Sequence, residues 1–304
     1  MPVPPYFPYH VGPPPAGSGL VVQTVHGSLG RVHVAGPRTA APEVLFLHGV
    51  SLDSSSWTPL LRAGGSVELP WVLVDVPGFG RSDPLPGPTT LDALCDALAE
   101  VLHAVADGPV HVVGHSMGGF LGLHLAATRP DLVRTLATLN GSYVTILDLV
   151  NAPLASAVRY PATWLAYQGI RTAAGRGGGV QAAVRGAARS GLLRWGTAGL
   201  AAHPSRVPRS ALLALADGAR PASFRLAEAT GVGYDWRSTW SRIEVPVLAG
   251  YGVRDRLVTP RDARALREAV PSATEVVVPD SAHLSPLEQP DRWFAELTRH
   301  WAGR

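Results

Sequence analysis

The sequence predicts an α/β fold: a mostly parallel central sheet with helices on both faces and a helical insertion. Three observations predict it. Short apolar runs bounded by turn residues recur along the chain, as expected of strands buried on both faces. Helical patterns fall between these runs, the alternation that builds parallel sheets. Across residues 143–240 the rhythm stops and no strand-like run appears.

Residues 1–19 carry Pro at positions 2, 4, 5, 8, 13, 14 and 15 and read as an extended arm. With no early Arg and no apolar run, the arm is unlike a signal peptide. Leu20–Val25 and Arg31–Ala35 read as a hairpin closed by His26-Gly27-Ser28-Leu29-Gly30. Val44–Leu47, Trp71–Val74 and Val110–Val113 read as buried strands. Between the last two lies a helix, Leu91–Val105, with Thr89 or Thr90 as its N-cap. Met117–Thr128 is helical and follows the third of these strands directly. Leu136–Leu139 is the next strand, and the first part of the core spans 20–142.

The insertion, 143–240, is rich in Ala, Arg and Gly, with Trp164, Tyr167, Trp195 and Trp236 spread through it. Those aromatics suit either a substrate pocket or the insertion's own small core. Gly177-Gly178-Gly179 reads as a hinge or loop. The core resumes over 241–304 with strands at Val245–Leu248 and Glu275–Val278. Helices are expected at Arg261–Ala269 and Asp291–Trp301.

The chain has 304 residues, 46% of them hydrophobic and 16% charged, enough for one large core with an insertion. Its net charge is +3, and all 26 of its Lys and Arg residues are Arg. A uniform Arg bias without a dense basic run reads as coding composition, not as a nucleic-acid surface. Cys95 is the single cysteine, so no intramolecular disulfide forms, and its Ala/Leu-rich helix makes it a small core residue. No segment has the ~18 apolar residues of a membrane span. These features predict a cytoplasmic protein acting on a small molecule, with no nucleic-acid partner, no metal and no organic cofactor. Oligomeric state is left open.

The chemistry centres on Gly114-His115-Ser116-Met117-Gly118, a G-x-S-x-G lying between a strand and a helix. Small residues two before and two after the serine let the chain turn sharply and present its hydroxyl at the carboxyl edge of the sheet. A serine hydroxyl needs a base. His283 follows the last strand, within Asp280–Glu288, at the same edge. His115 neighbours the serine but points away from it, while His103 and His124 lie inside helices. The acid that orients the base is Asp255, in the loop after Val247-Leu248-Ala249-Gly250. The order Ser, Asp, His is the one expected of this strand–turn–helix motif. Backbone N–H donors for an oxyanion are expected from Met117 and from Val50, in the His48-Gly49-Val50-Ser51 loop. His48 is expected to orient that loop.

With these residues in place the chain resembles the α/β-hydrolase superfamily. The branch is that of serine esterases, lactonases, C–C bond hydrolases and cofactor-free haloperoxidases. His48-Gly49 followed by Trp57, the loop Asp75–Asp83, and the block from Asp280 through His283 and Glu288 to Pro290 match its patterns. The Gly and Pro of the Asp75–Ser82 loop are expected to shape its turn, and Asp75 is assigned no chemical role. The resemblance implies that the insertion caps the active site. Relatives with an aspartate nucleophile, the epoxide hydrolases and haloalkane dehalogenases, are disfavoured by Ser116. The leading expectation is hydrolysis of an ester, thioester or lactone through an acyl-enzyme. C–C hydrolysis, lyase, acyltransferase or perhydrolase chemistry with the same residues, and a non-catalytic ligand-binding role, stand beside it.

Overall fold

In the hairpin, β1 (Leu20–Gly27) and β2 (Gly30–Pro37) pair in register, with Gly27 opposite Gly30 across a two-residue turn. Gly30 has φ +100°, which a glycine adopts without strain. The remaining strands are β3 (Val44–Leu47), β4 (Trp71–Val74), β5 (Val110–His115), β6 (Val133–Leu139), β7 (Val247–Gly252) and β8 (Thr274–Val278). They form one sheet in the order β1-β2-β4-β3-β5-β6-β7-β8. Pairs involving β2 are antiparallel, and all pairs from β4 to β8 are parallel. This computed structural model describes residues 5–13, 20–37, 40–64, 70–141, 143–175, 179–218 and 220–302.

Successive strand residues point to opposite faces, and each face has its own core. Leu45, Leu47, Val72, Val112 and Leu136 pack in one cluster with α2 (Leu91–Val105) and α3 (Met117–Thr128). Phe46, Leu73, Val113, Ala137 and Leu248 pack in the other, against α1 (Thr58–Ala63) and α13 (Pro290–Trp301). Both faces are therefore covered at the centre of the sheet, and the runs of β3, β4 and β5 have no exposed face. Thr90 caps α2, its side chain accepting from the Ala93 N–H. Cys95 is buried in the first cluster.

The expected strand at Val245–Leu248 begins later, at Val247. Pro246 has no N–H for the ladder, and its carbonyl accepts from Leu136 instead. β6 starts three residues earlier than expected, because β5 offers a pairing edge from Val110 onward.

Between β6 and β7 the described chain is helical. It holds α4 (Val144–Asn151), α5 (Pro153–Arg159), α6 (Pro161–Gly175), α7 (Gly179–Ser190), α8 (Arg209–Asp217), α9 (Pro221–Ala229) and α10 (Trp236–Trp240). Three of these helices, α5, α6 and α9, open on a proline, whose missing N–H costs nothing at that position. Gly177 and Gly178 of the expected hinge lie outside the described residues, and Gly179 opens α7. After β7 come α11 (Pro260–Ala269), β8 and the short α12 (Ser285–Glu288). Among the described residues no helix is long and apolar enough to cross a membrane.

Part of the Pro-rich arm, residues 5–13, packs against both the core and the insertion. Tyr6, Phe7 and Val11 are buried with Val207, Ala211 and Leu212. Phe7 N–H donates to the Glu288 carbonyl at 3.0 Å, and Tyr9 Oη donates to Asp291 at 2.9 Å.

Candidate active site

The parallel order of β3, β5, β6, β7 and β8 places their carboxyl ends along one edge. Their five loops leave from that edge, beside the loop that follows β4. The site is assembled from them.

Ser116 stands between β5 and α3 with φ 57° and ψ −121°. A non-glycine residue there is strained by about 1–3 kcal/mol, and its neighbours must hold it. They do so by close approach. A Cβ at Gly118 would lie 2.1 Å from the Leu47 carbonyl oxygen, and one at Gly114 would lie 2.3 Å from the Gly118 oxygen. Only glycine lets β3, the turn and α3 come this near. The Ser116 N–H donates to the Leu139 carbonyl at 2.9 Å, fixing the turn to β6.

Ser116 Oγ is 2.8 Å from His283 Nε2, and His283 Nδ1 is 3.0 Å from Asp255 Oδ2. Ser116 and His283 are buried, at 3% and 4% exposure, so bulk water does not screen the pair. Asp255 sits in the loop after β7. Its Oδ1 accepts from the Leu257 and Val258 N–H groups at 2.7 and 3.1 Å, and its Oδ2 also accepts from Asn140 Nδ2 at 2.6 Å. Neither adjacent arginine pairs with it among the described contacts; Arg254 lies 3.8 Å from Asp280 instead. The carboxylate accepts from the imidazole, so His283 carries its proton on Nδ1 and offers Nε2 as an acceptor to the serine.

His115 does point away from the Ser116 hydroxyl. Its Nε2–H donates to the His283 carbonyl at 2.8 Å. Burial, with His283 beside it, pushes the His115 imidazole down to about 3. It is thus a neutral brace on the backbone of His283. His48 is likewise a brace: its Nδ1–H donates to the Gly49 carbonyl, and its Nε2 accepts from the Val76 N–H at 3.0 Å. Asp75 accepts from the Ser54 and Arg81 N–H groups at 2.7 and 2.8 Å and shapes two loops. His124 bridges Asp92 and Tyr234 on the far side of α3.

Val50 and Met117 line the same cavity as Ser116 and His283. That cavity measures 130 Å³. Its remaining wall is almost wholly apolar, with Leu94, Phe120, Ile146, Leu147, Phe224 and Leu257 prominent. The one carboxylate on it, Glu228, is held by Arg171 at 3.1 Å and by the Tyr167 hydroxyl. Of the four aromatics that the sequence singles out, Trp164, Tyr167, Trp195 and Trp236, only Tyr167 lines this cavity. Trp236 packs on Trp240 in the core, Trp164 packs beside Tyr167, and Trp195 is 65% exposed.

The alpha/beta hydrolase fold family matches this sequence over residues 42–290. The chain belongs to the α/β-hydrolase fold family. It is similar to the pimeloyl-[acyl-carrier protein] methyl ester esterase of Chromobacterium violaceum, 30% identical over 270 residues that cover 85% of this chain and 94% of that one. A shorter segment of 117 residues is 43% identical to lipase LipV of Mycobacterium tuberculosis. That segment covers 37% of this chain and 44% of the lipase, so the match spans less than half of that relative. Carboxylesterase CesB of Bacillus subtilis has a similar structure, with a TM-score of 0.70 at 17% identity over 94% of this chain and 92% of that one. At that identity the likeness concerns the fold alone.

Two groups of this α/β-hydrolase site went unread in the sequence. Tyr143 Oη contacts Ser116 Oγ directly. Asn140, with φ 55°, donates to Asp255 and to the Ala282 carbonyl at 3.1 Å, and accepts from Ser285 Oγ. Both lie just past the carboxyl end of β6. The rule that locates Ser116, Asp255 and His283 at strand ends applies equally to this loop. A search for a carboxylate there passes over an amide and a phenol.

Proposed function

We propose that this protein hydrolyses a small-molecule ester, thioester or lactone through an acyl-enzyme. The observation that carries this is the continuous path from Ser116 Oγ through His283 to Asp255, at 2.8 and 3.0 Å, inside a buried apolar cavity.

Ser116 is the nucleophile. It attacks the carbonyl carbon while His283 Nε2 takes its proton. The resulting imidazolium is held by Asp255 through Nδ1–H, in the tautomer and orientation the next step needs. The N–H groups of Met117 and Val50 receive the oxyanion. Met117 opens α3, so the positive end of a helix adds to the donor. His283 then passes its proton to the leaving oxygen or sulfur. Water, deprotonated by the same nitrogen, attacks the acyl carbon and releases Ser116. The helical insertion acts as the cap: α4, α6 and α9 contribute Ile146, Ile170 and Phe224 to the cavity wall. The methyl ester esterase and the lipase among the relatives support ester chemistry.

A fluorophosphonate probe is expected to label Ser116, with no label on Ser116→Ala. His283→Ala is expected to lower kcat for a p-nitrophenyl ester by about 10⁴-fold, because the three groups act as a unit. Labelling at another residue, or near-normal turnover without His283, rejects the assignment.

A further inference from the structure

The cavity at Ser116 is small for a substrate site. Its 130 Å³ falls near the ~150 Å³ of an apolar cavity that admits benzene, and below the roughly 300–1,000 Å³ of most ligand sites. A carbonyl with about six further carbons fills it. Yet a second cavity, of 400 Å³, adjoins it within the insertion.

The two cavities share Ser51, Ile170, Leu200 and Leu215 as wall residues. One layer of side chains thus stands between them. Leu200 is held in that layer by its backbone: the Leu284 N–H donates to its carbonyl at 2.9 Å, and its own N–H donates to Thr197 at 2.8 Å. The donor Leu284 follows His283 directly, so this layer is registered to the catalytic loop.

The second cavity owes its volume to small residues, among them Ala162, Ala166, Gly169, Gly196 and Gly199. Its named wall carries one charged side chain, Arg256, which has no hydrogen bond or ion pair among the described residues. Arg256 is exposed, so its charge is met by solvent and the mostly apolar remainder of the wall decides what fits.

We propose that the second cavity binds the far part of a long, uncharged alkyl chain of the substrate, with Leu200 as the gate between the chambers. This rests on the reading of Ser116 as the nucleophile in the first chamber. The substrate class it assigns is an ester of about eight to twelve chain carbons, with the reacting carbonyl in the inner chamber and the chain end in the outer.

The test compares kcat/KM for p-nitrophenyl hexanoate and decanoate. Each further buried methylene is worth at most about fourfold. The wild-type ratio of decanoate to hexanoate is expected to reach at least about tenfold. Ala166→Phe and Gly169→Phe, three residues apart on one face of α6, fill the outer chamber and are expected to cut that ratio at least fivefold. Gly169 is exposed and a Cβ there meets nothing within 4 Å, so the substitution leaves the backbone in place, while Ala166 is half-buried on the same wall. Leu200→Ala is expected to raise the ratio. A wild-type rate that levels off at hexanoate, or a ratio unmoved by both filling variants, overturns the proposal. A ratio that falls in Leu200→Ala removes the gate.

A binding arm separates this inference from the hydrolase reading. Methyl decanoate is expected to bind Ser116→Ala at least tenfold tighter than methyl hexanoate by calorimetry, and to lose that margin when Gly169→Phe is added. No ester turnover with that margin intact rejects the hydrolase reading and keeps the chamber. Turnover with no chain-length preference in rate or binding rejects the chamber and keeps the hydrolase.

Discussion

Ser116 Oγ has two neighbours, and only one placement of protons satisfies both. Asp255 can only accept, so His283 Nδ1 donates and Nε2 must accept. The Ser116 hydroxyl therefore donates to Nε2, and the Tyr143 hydroxyl donates to Ser116 Oγ. Burial pushes the Tyr143 phenol above its ordinary range, so that donor keeps its proton throughout the working pH range. In the proposed reaction a donor on Ser116 Oγ holds that oxygen in place, and can turn to the carbonyl oxygen, where negative charge develops in the tetrahedral intermediate. Tyr143→Phe removes the hydroxyl and keeps the ring packed on Phe120, 6.0 Å away. A neutral hydrogen bond is worth roughly 0.5–1.5 kcal/mol net, so kcat is expected to fall about two- to twelvefold. Steady-state kinetics on a soluble ester measure this. An unchanged kcat would make Tyr143 a wall of the cavity and nothing more.

At the scale of elements, the turn from β5 to α3 depends on what α3 can touch. Here the backbone of β3 is the limit, since a Cβ at Gly118 would lie 2.1 Å from the Leu47 oxygen. Neither side has a flexible chain end to yield. Gly118→Ala is expected to lower stability by at least ~1–3 kcal/mol, read as a shifted denaturant midpoint, and to cost activity by moving Met117 and Ser116 together. A midpoint equal to wild type would mean that β3 gives way freely. These elements were also the legible ones. Val44–Leu47 and Val110–Val113 are buried on both faces, so their apolar runs carry the strand signal undiluted, and Gly114-His115-Ser116-Met117-Gly118 is a local motif. The insertion was legible only as helical. Its helices bury their faces against one another and against the cavity, so no single periodic stripe marks which residues face the substrate. Trp195 illustrates this, being exposed where its residue type suggests burial. Tyr6 was hidden for a related reason: its partner Glu288 is 282 residues away, and a Pro-rich segment has no internal pattern that announces a docking site.

Over the whole molecule, Glu288 is where arm, insertion and core meet. Its carboxyl group accepts from Tyr6 Oη at 2.9 Å, from the Ala202 N–H at 2.9 Å and from the Ala282 N–H at 3.0 Å. Ala282 precedes His283, so the arm and the insertion are both tied to the loop that carries the proposed base. Glu288 is fully buried, and burial pushes its carboxyl group up to about 7, outweighing the donors around it. The sign of the effect on stability follows. The folded protein keeps this proton up to about pH 7, while the unfolded chain loses it near pH 4.5. The folded state therefore holds the extra proton between these values, and its stability falls as pH rises through that window, by up to ~3 kcal/mol. Glu288→Gln keeps the shape and removes the titration. Its unfolding free energy, from urea melts at pH 5 and pH 7, is expected to lack the wild-type decline over that interval. Tyr6→Phe removes a donor that favours the ionised form, so it is expected to steepen the decline toward pH 7. Equal slopes in all three proteins would mean that Glu288 is already ionised in the fold and that the three donors outweigh its burial.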